Sequence, residues 1–241
     1  MGVPWLLRVR FRLSRLFWRL GRLLLQVRVN ALDVVEGPPL VIGADRAATY
    51  DELLRTGGLI DYRLPSPKHE FLSYAVARRG LLAHGSNRHD IEEFEPRPAN
   101  EAGTIQLFVH AASDGIWPIY FATVARPAGR NVLVNGCAHV GRGDRLRRYY
   151  FFGISGNPDD DASWTDGMVY LLPGSTFRRH QGEEWISSTP VRPVARLRVT
   201  PDDFPFRRAT VGVFWPEMPG RVRRRFRRRW AAQSVSASRA S

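Results

Sequence analysis

Three short stretches hold the side chains best suited to chemistry. They are His84-Gly85-Ser86 at the end of an apolar run, Pro118-Ile119-Tyr120-Phe121-Ala122 further on, and Gly182-Glu183-Glu184-Trp185-Ile186 late in the chain. An imidazole can hold a hydroxyl, and a glycine lets backbone approach a planar amide. A tyrosine offers a face for ring stacking, and a carboxylate can stabilise positive charge developing on a sugar. Each has a plainer reading by itself: His84 as a hydrogen-bonded residue ending a strand, Gly85 as a turn glycine. Neighbouring strand residues face opposite ways, so only one of Glu183 and Glu184 can enter a shared pocket. The aromatic that follows it favours Glu184. His110, Cys137 and His139 are conceivable metal ligands, but Cys-x-His without a matching second pair predicts no metal site.

In this order the three stretches supply what an NAD pocket needs, and they carry a family resemblance. Leu82-Ala83-His84-Gly85-Ser86, Pro118-Ile119-Tyr120-Phe121-Ala122 and Glu184-Trp185-Ile186 resemble the three motifs of the ADP-ribosyltransferase superfamily, in its poly(ADP-ribose) polymerase and diphtheria-toxin branch with a His-Tyr-Glu triad. The likeness covers about residues 70 to 200. It implies an ADP-ribosyltransferase-like pair of split β-sheets with NAD as substrate. His84 would bind the ribose, Gly85 and Ser86 the nicotinamide amide, and Tyr120 the nicotinamide ring. Glu184 would hold the ribose beside the bond being broken. His84, Tyr120 and Glu184 would be catalytic, and ADP-ribose would pass to a protein or nucleic-acid acceptor. Gln181-Gly182-Glu183 resembles instead the Gln-x-Glu pattern of the arginine-modifying branch, which keeps Glu183 in contention. Tyr149 and Tyr150 are the candidates for a second stacking tyrosine.

The elements that must position these residues are legible in outline. Thr49 is suited to cap a helix over Thr49–Leu54. In KHEFLSYAVARR, Phe71, Leu72, Ala75 and Val76 share a face, which predicts a helix over 68–79 that Gly80 stops. Leu81 to Ala83 then deliver His84. Beyond it the chain turns to short apolar runs punctuated by glycine and proline: TIQLFVHAAS, WPIYFATVA, RNVLVNGCAHV, RRYYFFGIS, DGMVYLLPGSTFRRH, EEWISSTPV and ARLRVTPDDF. Helices followed by runs of strands predict an α+β domain with antiparallel or mixed pairing, spanning about 44–216.

Charge is concentrated at the two ends. Of 36 basic residues, seven lie in 1–29 and eight in 219–241, and no acid lies in either segment. The stretch between is close to neutral, so the net charge of +13 says nothing about a central site. Arg8, Arg12, Arg15, Arg19 and Arg22 recur at helical spacing opposite Leu13, Leu16, Phe17, Leu20, Leu23, Leu24 and Val27. That pattern predicts a basic amphipathic helix over 1–29, able to lie on an anionic membrane or an acidic partner but too interrupted by arginine to span a bilayer. The Arg-rich 217–241 tail would hold nucleic acid or lipid phosphate through sequence-blind attraction. The single cysteine fits a cytoplasmic, reducing setting. Two other functions fit the same sequence: a module that binds ADP-ribose or a phosphorylated nucleotide without turnover, and a scaffold whose basic ends do the binding.

Overall fold

A computed structural model describes residues 34–101, 104–126, 133–141, 143 and 146–212. They belong to one unit bounded by Leu32 and Gly212. The basic segments expected over 1–29 and 217–241 lie outside the described residues. Within these, no helix is long and apolar enough to cross a membrane.

The chain is α+β, with three α-helices among the described residues: α1 (Ala44–Thr56), α2 (Lys68–Arg79) and α3 (Trp117–Thr123). Helix α2 matches the apolar spacing, and Gly80 ends it in the left-handed region at φ 64° and ψ 21°, where a side chain would be strained. Helix α1 begins five residues before the expected cap. Gly43 caps it, and the Thr49 hydroxyl bonds back to the Asp45 carbonyl four residues earlier.

The larger sheet runs β2 (Gly58–Leu59), β11 (Ala195–Val199), β8 (Gly167–Pro173), β3 (Leu81–Ser86), β5 (Thr104–Ala112), β10 (Glu184–Ser187) and β9 (Arg178–Gln181), with β4 (Arg97–Glu101) paired to β5. The smaller sheet is built on β7 (Arg147–Ile154), which pairs with β1 (Val35–Glu36), β6 (Leu133–Val140) and β12 (Val211–Gly212). Pairing is antiparallel except at β2 with β11 and β12 with β7. Because β1 lies on β7, the folded body begins before the expected Ala44.

Strand alternation explains why GMVYLLP reads as a nearly unbroken apolar run. Val169 and Leu171 face one core, with Tyr50, Phe71, Leu72, Tyr120, Tyr150 and Phe152. Met168, Tyr170 and Leu172 face a second, under Ile91, Phe94 and Val191. Burial of each such side chain contributes about 1.5–3 kcal/mol before entropy is counted. Polar ties join the elements: Lys68 Nζ meets Asp203 Oδ2 at 2.9 Å, and the Tyr74 hydroxyl donates to Asp51 Oδ1 at 2.7 Å.

Helix α3 seats directly on the larger sheet. A Cβ at Gly85 would stand 1.8 Å from the Pro118 carbonyl oxygen, and one at Gly167 would stand 2.0 Å from that of Ala122. These two glycines allow the helix to approach so closely.

Candidate functional site

Strands β3 and β5 meet at a single pair, Ala83 with Ala112, and then part. The sheet therefore carries a split just where His84 follows Ala83. The His84 side chain reaches across it: Nδ1 lies 2.6 Å from the His110 carbonyl oxygen, an atom that can only accept. Nδ1 therefore carries the proton. Burial pushes the imidazole down to about 4, against an opposing contribution from this hydrogen bond. At neutral pH the ring is uncharged, and Nε2 is an acceptor.

On the other edge of β5, β10 pairs so that Glu184 lies opposite Ala112, on the sheet face of Ala83 and Gly85 and not on that of the His84 side chain. Glu184 Oε1 is 2.9 Å from His110 Nδ1, and both side chains are 34% exposed. His110 thus engages both motif residues, His84 through its carbonyl and Glu184 through its ring. Sequence reading considered His110 only as a metal ligand.

Glu183 is placed differently. It sits in the turn between β9 and β10, and its carboxylate is 9% exposed. It accepts from Ser113 Oγ at 2.6 Å and Arg179 at 3.0 Å, and lies 3.3 Å from His139 Nδ1. Of the two adjacent acids, Glu184 is the accessible one.

Tyr120 is not brought to the split. Its ring is wholly buried among Phe121, Phe152 and Phe204, and its hydroxyl donates to the Gly153 carbonyl at 2.8 Å. Helix α3 lies on the face of β3 toward which Gly85 is open, while His84 belongs to the opposite side, against Phe94 at 4.6 Å between ring centroids. The expected stacking of Tyr120 on a nicotinamide ring therefore does not correspond to its position. The space above the Gly85 α-carbon is likewise filled by α3, not left for an amide. Ser86 Oγ accepts from the Arg88 N–H at 3.1 Å.

A second cluster lies where β6 of the smaller sheet meets the turn after β5. The Asp114 carboxylate is fully buried. Oδ1 accepts from the N–H groups of Ile116 and Trp117, both at 2.7 Å, and Oδ2 from the Tyr150 hydroxyl at 2.7 Å. Oδ2 also lies 2.9 Å from His139 Nε2. Burial alone would push this carboxyl up, but the bonds from His139, Trp117 and Tyr150 outweigh it and hold the group below the usual range. Cys137 stands two residues before His139 on the same face of β6. Burial, reinforced by the nearby Asp114 and Glu183, pushes its thiol far up, so without a compensating cation it is no thiolate nucleophile.

Asp114, Cys137 and His139 each offer a ligand atom within 4.8 Å of the other two. The sequence places Cys137 and His139 beside His110 as conceivable ligands without predicting a metal site; in the structure the residue next to them is Asp114, and His110 lies against Glu184. The available signal was the alternation of Cys137 and His139 on one strand face. No protein-family model, curated protein or solved structure matches this chain.

Proposed function

We propose that the chain is an NAD-consuming transferase of ADP-ribosyltransferase-like fold, which displaces nicotinamide and passes ADP-ribose to a protein or nucleic-acid acceptor. The observation that carries this reading is the double engagement of His110 beside the split, its carbonyl holding His84 and its ring holding Glu184 on the other face of the sheet. A neutral His84 with Nδ1 committed presents Nε2 to a ribose hydroxyl proton. The Glu184 carboxylate, oriented by His110, accepts from a ribose hydroxyl beside the scissile bond. It stabilises positive charge at the ribose carbon as the bond to nicotinamide breaks and its electron pair leaves with the nicotinamide nitrogen. The acceptor nucleophile then bonds that carbon and loses its proton. The edge of β3 past Ala83 is turned toward the split, so backbone groups at Gly85 and Ser86 remain the natural partners of the amide. Tyr120 has a structural part, anchoring α3 to β7 through Gly153 and Phe152.

The test is nicotinamide release from NAD by the full chain, followed chromatographically. Release is expected, and it is lost in Glu184→Gln. Absence of both nicotinamide release and calorimetric NAD binding would overturn the proposal. A second reading, nucleotide binding without transfer, is favoured by the burial of Tyr120 and by the Phe94 ring packed on His84. Binding that weakens in His84→Ala without any nicotinamide release identifies that case.

A further inference from the structure

We infer that Asp114, Cys137 and His139 form a binding site for a divalent transition ion of zinc type, with Asp114 Oδ2, Cys137 Sγ and His139 Nε2 as ligands and a fourth position for water. A carboxylate, a thiolate and an imidazole are the donor set such an ion prefers. The spread of at most 4.8 Å closes to bonds of about 2.0–2.3 Å by small side-chain rotations.

The surroundings are arranged as a metal site requires. His139 Nδ1 faces the Glu183 carboxylate at 3.3 Å, the contact that orients a ligating imidazole and leaves Nε2 for the ion. Glu183 is itself fixed by Ser113 and Arg179. Asp114 is held by two backbone N–H groups on one oxygen and by Tyr150 on the other. An ion entering between Asp114 and His139 replaces one N–H contact and leaves the remaining three in place. Cys137 lies among negative charges that oppose its ionisation, and a divalent cation reverses that balance, with the thiol proton released to solvent. Access is from the side of His139, which is 18% exposed, while Asp114 is closed off behind it. The ligands come from β6 and from the turn after β5, so the ion joins the two sheets.

The single cysteine in the chain makes the test specific. Metal-free full-length protein is titrated with Co²⁺ and the thiolate-to-cobalt charge-transfer band is recorded, a band only Cys137 can produce. One ion per chain, with the band displaced by Zn²⁺, is the expected result. Cys137→Ser abolishes the band, and Glu183→Gln keeps it but weakens affinity about 10–100-fold. If Cys137→Ser fails to fold, X-ray absorption on the zinc-loaded natural chain reports the same ligand set, one sulfur with nitrogen and oxygen. No charge-transfer band under excess Co²⁺, or a zinc shell without sulfur, overturns the inference. An affinity unchanged in His139→Ala does so as well.

Discussion

The two clusters are built from the same side-chain types, histidine and carboxylate, yet they are held in opposite ways. At the split, His110 and Glu184 make one side-chain bond to each other and stay one-third exposed. At the junction of the sheets, Asp114 is closed from solvent and has four partners, while Glu183 has three. A carboxylate with a free, solvent-facing oxygen can take up a substrate hydroxyl. One that is saturated and buried works on the protein, where losing a partner is costly. Adjacent residues 183 and 184 thus sit in different chemistry because the tight turn at Gly182, at φ 57°, turns one acid inward before β10 begins.

The sharpest break of this contrast is in rate. Glu184→Gln should lower nicotinamide release by roughly 10²–10⁴-fold with an unchanged denaturation midpoint, whereas Glu183→Gln should do the reverse. Equal kinetic losses in both would erase the distinction. Asp114→Asn should cost about 1–3 kcal/mol in urea unfolding, because an amide NH₂ in place of one carboxylate oxygen turns a donor toward buried N–H or O–H groups that had an acceptor. A loss below about 1 kcal/mol would show that the junction is not an electrostatic clamp. Gly85→Ala should destabilise by at least the ~1–3 kcal/mol of an overpacked contact, since the obstruction is the Pro118 backbone and not a flexible side chain. Circular-dichroism melts would register it.

A pH series separates the regions again. His84 has a folded-state pKa of about 4, below the ordinary 6.5 or so of an unfolded histidine. Between those values the unfolded chain binds the extra proton, so stability is complete above about 6.5 and declines as pH falls toward 4. His84→Gln should flatten that slope. The Asp114 carboxyl is held low, so its share of stability persists to lower pH and is lost only as pH falls further. The smallest effect is expected from Tyr120→Phe, about 1 kcal/mol for the bond to Gly153, with nicotinamide release unaltered. A strong kinetic defect there would place this hydroxyl in the reaction after all.

Local rules carried the sequence reading where partners are near in the chain. Helix α2 was legible because its apolar spacing and its terminal glycine agree. Six of the seven apolar runs that follow His84 contain strands, and the WPIYFATVA run contains helix α3. Two-residue β1 carries no periodicity to detect. The position of Tyr120 was hidden because a seven-residue helix with apolar side chains all round names no outward face. Asp114 was hidden for a different reason: its side-chain partners His139 and Tyr150 lie 25 and 36 residues further on, a pairing created only when the smaller sheet packs against the larger.

Lys68 at the start of α2 is the one lysine in the sequence, and its amine is occupied by Asp203 in the turn after β11. Reagents that acylate amines therefore meet a single lysine side chain here, protected while that joint is closed. Their rate of reaction reads the opening of one contact in the native chain, without any engineered label. Once modified, the neutral amide can no longer re-form the ion pair, so the same chemistry that reports the opening also makes it permanent.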